Sequence, residues 1–187
     1  MESQYGVIVV GGGTAGVVAG VQAARAGART LVIEKYGMLG GTVTLGGVNA
    51  PASFHAYGEQ IISGIGWEWC CRARAEVGQP EPEPVSQKAG RLHFSVNIPN
   101  LAAVADEMLL DAGADILFHA MPAAARLDGE EWTLTVCTKT GLRDLRAAVL
   151  IDCTGDANVV QLAGLPLDNG PEHQPATAFP DSLVQPV

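Results

Sequence analysis

The most informative residues are Gly11-Gly12-Gly13-Thr14-Ala15-Gly16, which have the spacing of a phosphate-binding turn. In the GxGxxG pattern the first glycine permits a tight turn and the second lets a pyrophosphate approach the backbone. The third lets the following helix pack closely on the preceding strand. Free N–H groups and the positive end of the helix dipole would then face the phosphates. We therefore expect Gly11, Gly13, Thr14, Ala15 and Gly16 to hold a pyrophosphate; the alternative is a glycine-rich turn without a ligand.

Glu34 lies at the position where a dinucleotide-binding glycine pattern is followed by an acidic residue. Glu34 ends the second apolar run of the chain, roughly 20 residues beyond the glycine turn. A carboxylate at this position can accept hydrogen bonds from both hydroxyls of an adenosine ribose, and it disfavours a ribose that carries a 2′-phosphate.

Two later segments could also face a ligand. Gly37–Gly47 is rich in glycine and threonine, whose amides and hydroxyls can donate to phosphate oxygens, and Thr154-Gly155-Asp156 follows an apolar run. A flexible surface loop is the alternative for the first segment. For the second, the alternative is an ordinary turn into a helix capped by Asp156.

The elements that position these residues begin with a βαβ unit. Tyr5–Val10 and Arg29–Lys35 are apolar, β-branched runs typical of buried parallel strands, and Thr14–Ala26 has helical spacing that ends at Gly27. Strand, helix and strand within about thirty residues predict a right-handed crossover. The further predicted elements are a helical stretch over Ser53–Val77, an extended segment over Gln79–Gly90, a strand over Leu92–Ile98, a helix over Asn100–Ala112 capped by Asn100, a strand over Ala114–His119, an antiparallel meander of Pro122–Leu127, Trp132–Thr138 and Leu142–Ala147, a buried strand over Val149–Cys153 and a short helix to Ala163.

The order of these motifs resembles the FAD-dependent oxidoreductases of the glutathione-reductase-like superfamily, in their N-terminal portion. The resemblance rests on the glycine turn, Glu34, the LGGT loop at Leu39–Thr42, the meander and the segment IDCTGDANVV at Ile151–Val160. It implies an α/β, Rossmann-like FAD/NAD(P)-binding fold with a central parallel sheet and a small antiparallel β-meander. It also implies FAD as cofactor, with binding roles for the following residues: Gly11, Gly13, Thr14, Ala15 and Gly16 at the pyrophosphate, Glu34 with Lys35 at the ribose, Gly40, Gly41, Thr42 and Thr44 around the pyrophosphate and ribityl chain, Ala123 and Ala124 at the adenine edge, and Thr154, Gly155 and Asp156 close to the cofactor.

Members of this family are usually more than twice as long as these 187 residues. We expect residues 1–165 to form the FAD-binding domain, with the meander at about 121–148, and residues 166–187 to be an extended, truncated connection. The implied function is an FAD-binding oxidoreductase, or its FAD-binding portion, in which the flavin carries the redox chemistry. Three alternatives stay open: a non-catalytic flavoprotein subunit that needs a partner chain, an NAD-binding dehydrogenase domain, and a relative of the thiazole-biosynthesis group.

Composition excludes other classes of function. Eleven Lys and Arg against 20 Asp and Glu give a net charge of −9, which argues against a nucleic-acid partner. The charge-free run Tyr5–Ala24 is long enough for a membrane span, but the strand, turn and helix within it favour a domain without a membrane partner. A homo-oligomer or a partner subunit stays possible.

The cysteines and histidines give no sign of catalysis. Four cysteines without a CxxC motif, and four histidines without ligand spacing, predict neither a disulfide scaffold nor a metal site. We expect the cysteines to be small buried hydrophobic residues of a cytoplasmic protein, with Cys70 and Cys71 serving packing. No side chain is assigned a catalytic role.

Overall fold

The computed structural model describes residues 4–51, 54–56, 59–82 and 94–167. Within these ranges no helix is long and apolar enough to cross a membrane. The strands are β1 (Gln4–Val10), β2 (Thr30–Glu34), β3 (His55–Ala56), β4 (Glu59–Gln60), β5 (Asp115–Phe118), β6 (Met121–Asp128), β7 (Glu131–Thr138) and β8 (Gly141–Asp152). The helices are α1 (Thr14–Arg25), α2 (Ile65–Ala75), α3 (Ile98–Asp111) and α4 (Asn158–Leu162), and Gly41–Val43 forms a single 3₁₀ turn.

Six of these strands form one mixed sheet in the order β5-β2-β1-β8-β7-β6. Strands β5, β2, β1 and β8 are parallel, and β8, β7 and β6 form an antiparallel meander. The sheet confirms the expected α/β, Rossmann-type architecture with a central parallel sheet and a small meander. The separate pair β3-β4 is antiparallel.

Both faces of the parallel part are covered, which explains why β1 and β2 read as unbroken apolar runs. One face packs against α1, α2 and α3 through a core that includes Val9, Val32 and Trp69. The other face packs against the meander and α4 through a core that includes Ile8, Leu134 and Val159. Only Gly11–Gly13 separate β1 from α1, so the N-terminus of α1 lies at the carboxyl end of β1.

The structure corrects the sequence-based boundaries around the third helix. The strand expected over Leu92–Ile98 is wrong from Phe94 onward, because residues 94–97 have no strand pairing and Ile98 begins α3. The cap is Asn97 and not Asn100: the Asn97 side-chain oxygen accepts a hydrogen bond from the backbone N–H of Asn100 at 3.1 Å. An Asn cap followed by proline in the first turn is a favourable helix start.

Other boundaries also differ. Of the helical stretch expected over Ser53–Val77, the described residues form a helix at Ile65–Ala75, preceded by the short strands β3 and β4. The meander strand expected at Leu142–Ala147 and the buried strand expected at Val149–Cys153 form a single strand, β8, which pairs antiparallel with β7 and then parallel with β1. The end of this strand is half-buried, and Val149 is 47% exposed. The proposed connection at 166–187 and the extended segment at 79–90 lie mostly outside the described residues.

Candidate functional site

A cavity of about 670 Å³ opens at the carboxyl ends of β1, β2 and β8. This is where open α/β sheets bind ligands, and the volume is within the usual range for a small-molecule site. The lining residues are Val10, Gly11, Gly13, Thr14, Ala15, Ile33, Glu34, Lys35, Tyr36, Gly41, Thr42, Ala120, Met121, Pro122, Cys153, Thr154, Gly155, Asp156, Asn158, Gln161 and Leu162. All three segments that the sequence singled out therefore contribute to one cavity.

The three glycines of the GxGxxG pattern, Gly11, Gly13 and Gly16, are in three different environments. Gly11 has φ +99°, and a Cβ there would lie 2.4 Å from the carbonyl oxygen of Cys153. A Cβ on Gly16 would lie 1.7 Å from the carbonyl oxygen of Gly11, so only glycine lets α1 approach β1 this closely. Among the described residues, a Cβ on Gly13 would meet nothing within 4 Å, because Gly13 faces the open cavity. The first and third glycines thus serve backbone packing, while the second leaves space for a ligand.

The N-terminus of α1 is available to an anion. Its cap residue, Gly13, makes no side-chain capping hydrogen bond, and no acidic residue lies in the first turn. Thr14 and Ala15 are exposed and line the cavity. Uncapped N–H groups and the dipole of this 12-residue helix favour a negatively charged group here.

Glu34 places a buried carboxylate at the end of β2. One of its oxygens accepts a hydrogen bond from the backbone N–H of Gly12 at 2.8 Å, and the other accepts one from the backbone N–H of Tyr36 at 2.8 Å. The residue is 6% exposed and lines the cavity, so the side chain is fixed but can accept further hydrogen bonds. Beside it, the ammonium of exposed Lys35 lies 5.1 Å from the centre of the Tyr36 ring.

The second glycine segment packs directly on the first. The backbone N–H of Gly40 donates to the carbonyl of Gly12 at 2.8 Å, and Gly40 has φ +102°. Gly41 and Thr42 line the cavity, whereas Gly40 and Thr44 do not. The Thr44 hydroxyl, which we expected to donate to a phosphate, is buried and donates to the carbonyl of Leu39 at 2.5 Å. Gly40 and Thr44 therefore shape the loop that presents Gly41 and Thr42.

The third wall, Thr154–Asp156, is held by a residue that sequence reasoning missed. Both carboxylate oxygens of Asp152 accept hydrogen bonds, from the backbone and hydroxyl of Thr154 and from two N–H groups of α4. Burial alone would raise the pKa of Asp152, but these hydrogen bonds to the charged form lower it below the ordinary value. The cap of α4 is thus provided by Asp152, which corrects the alternative in which Asp156 caps the helix.

The adenine-edge position also needs a correction. Ala124 is exposed within β6 and is not among the cavity residues, and a register shift lies between Pro122 and Ala124. The cavity is lined instead by Ala120, Met121 and Pro122 at the start of β6. Helix α4 adds three residues that the sequence gave no reason to select: Asn158, Gln161 and Leu162.

The thiols of Cys153, Cys70 and Cys71 are not activated as nucleophiles. Burial, with a contribution from the Asp152 carboxylate, raises the pKa of the cavity thiol of Cys153. Burial likewise raises the pKa of Cys70 to about 12 and that of Cys71 to about 11. Cys137 is exposed on the meander, so the expectation that it would be buried is wrong. Among the described residues, no group of three or more His, Cys, Asp or Glu side chains could hold a metal ion.

Comparison with known proteins gives both a family and a set of similar folds. The family model described as FAD dependent oxidoreductase matches residues 6–186. Over 53 residues, 28% of this chain, the sequence is 47% identical to dihydrolipoyl dehydrogenase of Trypanosoma brucei brucei, and the match spans 11% of that enzyme.

Two solved structures show the likeness in fold. The structure of AlpK has a TM-score of 0.60 at 18% identity, over 86% of this chain and 33% of AlpK. A geranylgeranyl bacteriochlorophyll reductase-like protein from Thermoplasma acidophilum has a TM-score of 0.58 at 21% identity, over 87% of this chain and 42% of that protein. The chain therefore spans less than half the length of either protein.

Proposed function

Because the chain belongs to the FAD dependent oxidoreductase family, we propose that it binds FAD in this cavity and contributes that cofactor to an oxidoreductase reaction. The observation that carries the proposal is the convergence of two glycine segments on one cavity. Gly40 is hydrogen-bonded to Gly12, and Gly41 lines the same space as Gly13 and Glu34. The second segment distinguishes this arrangement from a simple nicotinamide-binding turn.

The residues present suit the adenosine diphosphate part of FAD. The open space at Gly13 would admit a pyrophosphate beside the uncapped N-terminus of α1, with Gly41 and Thr42 on its other side. The fixed carboxylate of Glu34 would accept hydrogen bonds from the adenosine ribose hydroxyls.

The remaining lining residues extend this assignment. The adenine would lie toward Lys35 and Tyr36 on one side and toward Ala120–Pro122 on the other. Thr154, Gly155 and Asp156 would form the wall that faces the rest of the cofactor. FAD, when bound, supplies the hydride and electron transfer, while this chain's own residues bind it, orient it and exclude water from one side.

A flavin titration of the purified chain tests this proposal. We expect FAD to change its fluorescence on binding and to raise the melting temperature, and ADP to compete for the adenosine part. Lack of a fluorescence change and of thermal stabilisation at high micromolar FAD would contradict binding by this chain. Because Glu34 disfavours a 2′-phosphate, NADP should have no effect.

The second candidate is an NAD-binding dehydrogenase domain, which Glu34 and the glycine turn also suit. The two candidates differ in the ligand that stabilises the chain more strongly. Stronger stabilisation by NAD than by FAD at equal concentration would favour this candidate and reject the first.

We further propose that residues 1–165 act as one cofactor-binding domain in a reducing, cytoplasmic compartment. The four cysteines are all free thiols, which agrees with such a compartment. We also propose association with a second copy or a partner subunit, in which exposed apolar side chains such as Ile61 and Leu142, 60% and 69% exposed, would be covered. Size-exclusion chromatography with light scattering tests the association, and a monomer that binds no hydrophobic dye would contradict it.

A further inference from the structure

Asp152, the last residue of β8, accepts four hydrogen bonds from the segment that follows it. One oxygen accepts from the backbone N–H of Thr154 at 2.9 Å and from the Thr154 hydroxyl at 2.7 Å. The other oxygen accepts from the N–H groups of Val159 and Val160 at 2.8 and 3.0 Å. The Thr154 hydroxyl in turn accepts from the N–H of Asn158 at 2.9 Å. A single carboxylate therefore ties the strand end, the turn and the first turn of α4 together.

The turn needs such a restraint because its backbone is unusual. Gly155 has φ +87°, and Ala157, which has a side chain, has φ +55°. An L-residue other than glycine, asparagine or aspartate rarely adopts the left-handed region, so Ala157 holds this conformation only because its surroundings impose it. The Asp152 hydrogen bonds on both sides of Ala157 are that restraint.

We propose that Asp152 is a positioning residue for FAD, holding the Thr154–Asp156 wall in the conformation that borders the cofactor; this rests on the function proposed above. Asp152 itself is not among the cavity residues, whereas Thr154, Gly155 and Asp156 are. It acts on the ligand only through them. A wall that is already in place loses less conformational entropy when a ligand binds, and this preorganisation strengthens binding.

The same hydrogen bonds also decide which helix meets the pyrophosphate. The N–H of Asn158, the first of α4, donates to the Thr154 hydroxyl, and the N–H groups of Val159 and Val160 donate to the Asp152 carboxylate, so all three are directed away from the ligand. Helix α1 has no comparable carboxylate and makes no side-chain cap at Gly13. Because its first N–H groups are already hydrogen-bonded, α4 has a structural role, and the anion would bind at the N-terminus of α1.

The test compares Asp152→Asn with Asp144→Asn in the full chain. Asparagine keeps one acceptor oxygen but turns an NH₂ group toward two of the four donors. Asp144 is the matched control, because it is exposed in the meander and accepts one hydrogen bond, from the Thr135 hydroxyl at 2.7 Å. FAD dissociation constants are measured well below each variant's melting temperature, so that unfolding does not contribute. Exchange of the Val159 and Val160 amides is followed by NMR without ligand.

We expect Asp152→Asn to weaken FAD binding about tenfold and to speed exchange of the two amides by a similar factor, as the loss of a partly buried hydrogen bond to a charged group implies. Asp144→Asn should stay within about twofold of the unaltered chain on both measures, since a surface change away from the site has little effect. Asp152→Glu, which keeps the charge and both acceptor oxygens, should restore part of the affinity. A merely structural Asp152 would lower stability without changing the FAD affinity of the folded chain.

The outcomes separate this inference from the proposed function. If the unaltered chain binds FAD and folded Asp152→Asn binds it less than about threefold more weakly, the positioning role is wrong and the proposed function stands. If the unaltered chain does not bind FAD, both are overturned. If Asp152→Asn does not fold, Asp152→Glu decides: weakened binding by the folded variant supports the role, and unchanged binding rejects it.

Discussion

Replacing Gly13 by alanine should separate ligand binding from folding. Gly13 has φ −70° and ψ −169°, an extended conformation that alanine adopts without strain. The added methyl group would meet no atom within 4 Å in the ligand-free chain, yet it would occupy the space that we assign to the pyrophosphate. Gly16→Ala is the matched comparison, because there the methyl group would overlap the backbone of Gly11.

The expected stabilities of these two variants differ. At Gly13, alanine is a poorer helix cap, which lowers the free energy of unfolding by roughly 0.5–1 kcal/mol. Alanine also restricts the unfolded chain, which raises the free energy of unfolding by about 0.4–1 kcal/mol, so the two effects nearly cancel. At Gly16, overlap with a carbonyl that cannot rotate away costs about 3 kcal/mol, offset by about 1 kcal/mol of helix propensity. Gly16→Ala should therefore lower the melting temperature by about 4–8 °C, and Gly13→Ala should leave it nearly unchanged.

Gly13→Ala, which should leave the stability nearly unchanged, should weaken FAD binding. At an FAD concentration of about 100 times the dissociation constant, the free energy of unfolding of the unaltered chain rises by about 2.7 kcal/mol. Its melting temperature then rises by roughly 5–11 °C. If Gly13→Ala weakens binding about tenfold, FAD raises the free energy of unfolding of this variant by only about 1.4 kcal/mol and its melting temperature by roughly 3–6 °C. Differential scanning fluorimetry with and without FAD measures both quantities. Full FAD stabilisation of Gly13→Ala would refute the placement of the pyrophosphate, and strong destabilisation without ligand would refute the open space at Gly13.

Three further predictions concern other parts of the structure. Glu34→Gln should lower the free energy of unfolding by about 1–3 kcal/mol, because one of the two backbone donors would face an NH₂ group. Urea unfolding measures this loss, with the substitution Glu130→Gln at an exposed position as the control. Because hydrogen bonds lower the pKa of folded Asp152, its contribution to stability is present above about pH 4 and is lost as the pH falls through that lower pKa. Acid unfolding should show a shallower slope for Asp152→Asn, and an unchanged slope would contradict the assignment. With a thiol reagent at pH 8, exposed Cys137 should react first and Cys70 only after unfolding, as mass spectrometry of labelled peptides would show.

Much of the parallel sheet and the glycine turn could be predicted because these features are local. A βαβ unit needs only apolar runs, a helical spacing and glycines at fixed positions, and the chain has all of them between Tyr5 and Glu34. The meander was also predictable, from alternating residues and two tight turns. The fusion of its last strand with the following buried strand was not, because the spacing pattern changes within β8 when its neighbours change.

The misassigned residues depend on partners that spacing does not reveal. Asn97 and Asn100 are both suitable caps, and only the fold decides between them. Cys137 is exposed because it pairs with Met121 and Leu142 on the outer face of the meander, a matter of strand register. Asp152 could have been suspected from the position of an acidic residue at a strand end. Its hydrogen bonds to residues seven and eight positions later nevertheless required the structure.

The double pairing of β8 has a consequence for biosynthesis. Strand β1 is made first, but its neighbours on one side are residues 146–152, which leave the ribosome more than a hundred residues later. Gly11 also packs against Cys153, so the phosphate-binding turn reaches its final form only when β8 arrives. Until then β1 has an unpaired, apolar edge of the kind that captures other strands. A nascent chain of this protein should therefore depend on chaperones until about residue 153 has emerged, although its ligand-binding motif was complete at residue 16.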